Sequence, residues 1–148
     1  MTHSIREQII RAIMAALTPV AEKHGAVCVR RPVDGFREGD EPRVLAVFPE
    51  SDQPKGEGKS NMAAERTLTV RIVPQVFDET NPDGIADAML VDVHKTLFEK
   101  RGFGGLAQKL RQSDCLWMSE EGIVQVGQIP AAYEIDYRTA EDDLSQKG

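Results

Sequence analysis

A chain of 148 residues with 18 Lys and Arg against 24 Asp and Glu, a net charge of −6 and only 2 cysteines, can bury one core without disulfide staples. The acidity is uneven: Met1–Gln75 carries 11 basic and 10 acidic residues, Val76–Gly148 carries 7 and 14. Gripping phosphate backbones needs the opposite balance, so tight wrapping of nucleic acid is disfavoured; with no apolar run of about 18 residues and no basic-then-apolar leader, membrane insertion and secretion are not expected.

Ser4 and Glu7 stand at capping-box spacing before Ile5, Ile9, Ile13 and Leu17, which predicts an amphipathic helix. Thr18-Pro19 predicts a kink or a re-capped turn, with the pattern running on to His24 and stopping at Gly25. "AVCVRR" and "RVLAVFP" read as two strands separated by the loop "PVDGFREGDEP". A long hydrophilic loop, residues 50–61, follows and is expected to be flexible. In "ERTLTVRIV" Leu68, Val70 and Ile72 face one way and Thr67, Thr69 and Arg71 the other, and Pro74 marks an edge, a bulge or the end of regular pairing.

"TNPDGIADAMLVDVHKTLFEKRG" predicts a second helix, with Asn81 as N-cap, Pro82 first, Asp83 in the positive first turn, Lys100 and Arg101 in the last and Gly102 as its left-handed terminator. Ile85, Met89, Val93 and Leu97 form its buried stripe. "GGLAQKLRQ" suggests a short helical turn, "GIVQVGQI" a strand, and "AAYEIDYRT" a last strand alternating Tyr133, Ile135 and Tyr137 with Glu134, Asp136 and Arg138. Residues 140–148 are expected to fray. The order α-β-β-β-α-β-β, with hairpin-like connections, predicts a single α+β domain over 1–148: a mostly antiparallel mixed sheet with both main helices on one face. The other face would carry Thr67, Thr69, Arg71, Glu134, Asp136 and Arg138.

Catalytic chemistry is not legible. His3, His24 and His94 lie too far apart to suggest a metal site, His24 reading as a cation at a helix end and His94 as a solvated position. Cys28 sits in an apolar run and reads as core, Cys115 has no recognisable His partner motif, and both are expected to be reduced. "RGFGGL" follows a helix and lacks the Lys-Ser/Thr of a phosphate loop. Asp78, Glu79, Asp83 and Asp87 do not have the spacing of a calcium loop. No catalytic residue, cofactor or metal is predicted, and a structural or binding protein is expected rather than an enzyme.

The Ile/Leu helix, the strands with a hydrophilic hairpin insertion, the step "ERTLTVRIVPQVFDETNPDGIADAMLVDVHKTLF" and the late "IPAAYEIDYRT" strand together resemble the tail terminator, or tail completion, proteins of long-tailed bacteriophages, the minor tail protein U-like group. The likeness covers most of the chain. It implies a non-enzymatic subunit of a homo-oligomeric ring, commonly a hexamer, in the virion tail and, during assembly, the host cytoplasm. Such a ring caps the tail tube protein, stops its polymerisation and presents a surface to the head-tail connector, while DNA passes through the channel without specific binding. On this reading the loop offers Lys55, Glu57 and Lys59 as charged docking contacts. Arg71 would pair across strands with Glu134 and Asp136, or these three would meet a neighbouring subunit. Other readings are a different head-tail joining protein of the neck, or a small cytosolic ligand-binding or enzymatic domain with a pocket framed by Cys115, Trp117 and the Gly102–Gly105 loop.

Overall fold

The computed structural model describes residues 2–37, 39–55, 63–116, 118–120 and 125–148. Helix α1 (Ile5–Lys23) begins as its capping pattern predicts, the Glu7 N–H donating to Ser4 Oγ at 3.1 Å. Strands β1 (Val27–Val29), β2 (Arg43–Pro54) and β3 (Ala63–Phe77) follow, then α2 (Pro82–Glu99), a 3-10 turn (Phe103–Gly105), and strands β4 (Lys109–Cys115), β5 (Met118–Glu120), β6 (Val126–Gln128) and β7 (Ala131–Ala140).

These form an α+β fold around one seven-stranded mixed sheet. β3 is its spine: β2 lies along one side, and β7 (against Ala63–Ile72) and β6 (against Gln75–Phe77) lie end to end along the other. β4 flanks β7 and β5 flanks β6, all antiparallel, whereas β1 runs parallel to Val44–Ala46 of β2. The two helices touch each other and share one face, α1 over β1 and β2, α2 over β3 and β6. Between helices and sheet, Ile9, Ile13, Leu17, Met89, Val93 and Leu97 meet Leu68, Val70, Ile72, Tyr133 and Ile135, all buried. The alternation read in β3 and β7 is thus the alternation between core and free face.

Several local expectations are corrected. α1 continues through Pro19, because Leu17, Val20 and Ala21 on either side of it are buried and tertiary packing offsets the missing hydrogen bond. β1 joins the sheet by a parallel crossover, not a hairpin. Of the expected 50–61 loop, Glu50–Pro54 extends β2 across a bulge between Pro49 and Ser51, and the remainder from 56 lies outside the described residues. "KLRQ" belongs to strand β4 rather than to a helical turn. β4 is a sheet edge in which only Leu110 is buried, so a single apolar residue carries the whole strand pattern.

The terminator of α2 also differs. Gly102 keeps a right-handed conformation (φ −84°), and the left-handed residues are Phe103 (φ 45°), Gly104 (φ 68°) and Gly105 (φ 89°). Phe103 adopts this uncommon conformation with its ring in the core, at 6 % exposure. The acidic tail folds back instead of hanging free: the Ala140 N–H donates to the Gln146 carbonyl and the Ile5 N–H to the Leu144 carbonyl, both at 2.8 Å. The second bond satisfies one of the orphan donors in the first turn of α1.

Candidate interaction surface on the helix-free sheet face

Odd-numbered residues of β3 point away from the helices, so Thr67, Thr69, Arg71, Val73, Gln75 and Phe77 form the centre of the opposite face. β7 adds Ala132, Glu134, Asp136 and Arg138 beside them in register. The lower half of this face is an ionic lattice. Asp136 Oδ2 accepts from Lys55 Nζ (2.8 Å) and Arg111 NH1 (2.9 Å), and Oδ1 accepts from Thr67 Oγ1 (2.8 Å). Burial opposes ionisation of Asp136, but the hydrogen bonds from Arg111, Lys55 and Thr67 outweigh it and hold the carboxyl at about 2. Arg111 also donates to Glu134 at 3.3 Å, and Arg138 lies 3.5 Å from Glu65.

Arg71 does not pair with Glu134 or Asp136. Its register partner on β7 is Ala132, and the guanidinium instead makes a fork of two 3.1 Å bonds to Glu50 and one of 2.7 Å to Asp114. The physical reason is β4, whose Arg111 neutralises Glu134 and Asp136 and leaves Arg71 to the carboxylates of β2 and β4. Lys55 is held by Asp136 within its own chain, and Glu57 and Lys59 fall outside the described residues. Arg111, Asp114, Glu50 and Thr67 complete the lattice. A strand reading of "KLRQSDC" is the one sequence signal that would have found the first two.

The upper half of the face is apolar and partly roofed by the crossover between β1 and β2. There the Val33 N–H donates to Gln75 Oε1 at 2.9 Å, Gln75 Nε2 donates to the Val33 carbonyl and to Gln128 Oε1, both at 3.1 Å, and the Phe36 ring stacks on Phe77 with centroids 5.5 Å apart. Between this strap and the β4–β6 side runs an open groove of about 760 Å3, lined by Phe36, Phe48, Val73, Leu116, Val126 and Pro130. Arg71, Glu50 and Asp34 supply its charged lining.

The remaining polar candidates serve the helix face. His24 caps α1 and its Nε2 lies 2.6 Å from Asp92 Oδ2 on α2, while Lys23 reaches the same oxygen at 3.0 Å. His94, read as solvated, is half-buried: its Nδ1 lies 2.9 Å from the Tyr133 hydroxyl and its ring packs on Phe98. Burial raises the Cys28 thiol and the Cys115 thiol alike, Asp114 adding to the second. Among the described residues no group of three or more His, Cys, Asp or Glu is placed to hold a metal, and no helix is long and apolar enough to cross a membrane. The chain matches no family model and no curated protein.

Proposed function

We propose that this chain is a structural subunit that assembles head to tail with copies of itself into a ring, capping a bacteriophage tail tube as a tail terminator. The observation that carries the reading is the open sheet with two unlike edges. On one side β2 runs unpaired by any described strand beyond Ala46, with Pro49, Pro54 and a bulge in it. On the other side β4 and β5 form the border, with Lys109 and Arg111 and a second bulge. Prolines, charges and bulges discourage indiscriminate strand pairing. Because the two edges differ, a self-contact between them is heterologous, and heterologous contacts close into rings when the rotation per subunit allows.

The ionic lattice supports the same reading. Lys55, Arg71, Arg111 and Arg138 are each matched by carboxylates of their own face. A surface whose cations are already committed holds passing phosphate weakly, as a channel wall must. Lys55, together with Glu57 and Lys59, which lie outside the described residues, is the proposed contact with the tube or the connector. Another head-tail joining protein of the neck would share this geometry and differ only in the assembly it binds.

The test is a tube-elongation assay. Added to polymerising tail tube protein, the chain is expected to arrest growth and label one tube end. A variant lacking residues 56–59, which keeps the paired end of β2 and the bond of Lys55 to Asp136, should lose that capping. Tubes that elongate unchanged, with no end label, would overturn the proposal.

A further inference from the structure

We infer that the groove on the helix-free face is a docking site for an extended, apolar peptide segment of a partner protein that carries a Lys or Arg at one end. The inference stands whether or not the chain forms a ring. The groove follows β3 from Arg71 to Phe77, about 20 Å at the usual strand rise, the length of roughly six extended residues. Its floor is already shielded by the strap: Val73, Gln75 and Phe77 are 4 %, 2 % and 3 % exposed, and the Gln75 amide is tied to Val33 and Gln128, so an occupant's new contacts are with the walls. Its walls mix apolar side chains, Phe36 and Phe48 towards the strap and Val126, Pro130 and Leu116 towards the β4–β6 side, with the polar Asp34 and Gln128. Leu116, at 53 % exposure, is one of the few large apolar side chains left in solvent among the described residues.

Charge selects the occupant. Arg71 in the lining is 15 % exposed, while Glu50, also in the lining, and Asp114, bonded to Arg71 beside it, are 44 % and 48 % exposed. With Asp34 the lining carries two carboxylates against one half-buried guanidinium, and Asp114 adds a third at its margin. A cationic residue of the partner sits against these carboxylates while its apolar residues lie between the partly exposed Phe48, Leu116, Val126 and Pro130 side chains.

The probe is a capped heptapeptide of two lysines followed by alternating valine and threonine, titrated into the isotopically labelled full chain and followed by amide chemical shifts. Saturable shifts at Arg71, Gln75, Leu116 and Gln128 are expected, with a dissociation constant on the order of 0.1–1 mM. The same peptide with glutamates for lysines should bind at least ~5-fold more weakly. Leu116→Glu should abolish the shifts, Val91→Glu on the exposed side of α2 should leave them intact, and Asp114→Lys should reverse the preference between the two peptides. No saturable shifts, shifts confined to the helix face, or equal affinity for both peptides would overturn the inference. So would the same residues shifting with protein concentration alone, which would make the occupant a second copy of the chain.

Discussion

Asp136 shows how much of this surface rests on single side chains. Its carboxylate collects donors from β2's end, β3 and β4, and removing the charge leaves Lys55, Arg111 and Thr67 without their common acceptor. Asp136→Asn is expected to cost about 1–3 kcal/mol in urea denaturation, and Arg71→Met, which leaves the half-exposed Glu50 and Asp114 to water, about 0.5–1 kcal/mol. Asp136 also contributes to acid sensitivity. Its folded value near 2 lies below its ordinary 3.8, so its stabilisation is complete above the ordinary value and is lost as pH falls through about 4 towards 2. Glu7, held down to about 2 by the hydrogen bonds of Arg30 and Arg11, adds to the same window. The chain should therefore lose stability steeply between about pH 4.5 and 2, and Asp136→Asn should flatten that limb. An unchanged acid limb in the variant would show that the lattice does not hold the carboxylate down.

At the scale of elements, the start of α2 couples local conformation to packing. Asn81 has a left-handed backbone (φ 56°, ψ 55°) while its Oδ1 accepts from the Gly84 N–H at 3.3 Å. Asn81→Gly keeps the backbone and should cost a few tenths of a kcal/mol, whereas Asn81→Ala loses both cap and conformation and should cost about 1–2 kcal/mol. Beneath this turn Gly127 of β6 lies so close that an added Cβ would meet the Pro82 carbonyl carbon at 2.7 Å and the Asp83 nitrogen at 2.8 Å. Backbone cannot yield as a side-chain tip can, so Gly127→Ala is expected to lower stability by about 1–3 kcal/mol, read by thermal unfolding.

The same elements show why some of the fold was legible and some was not. α1, α2, β3 and β7 carry apolar periodicity because each buries one side on the core, and Asn81-Pro82 announces its cap directly. β4 carries a single buried residue, β1 only three residues, and the parallel pairing of β1 with β2 depends on where a 13-residue crossover (30–42) lands, which no local pattern encodes. The lattice was half legible for this reason. Arg71, Glu134, Asp136 and Lys55 were visible as strand-face or loop charges, but their true partners came from an edge strand without a pattern.

For the whole molecule, a layer of two helices on one sheet face leaves the other face and both edges as the surface for association. Among the described residues the helix side shows scattered exposed apolar groups, such as Val91, so a large apolar interface there is not expected. Charge reversal at the free face separates support from assembly. Arg111→Glu, facing Glu134 and Asp136, should lower stability and shift the chain towards smaller species, whereas Lys95→Glu on α2 should leave the distribution unchanged in sedimentation velocity.

Self-assembly through unlike edges, as proposed, is read by light scattering on a sizing column across a wide concentration range, with negative-stain images of any large peak. A closed ring of about six copies of the 16.4 kDa chain is the predicted result. A monomer at every concentration that is also not recruited to the ends of unfinished tail tubes would contradict it.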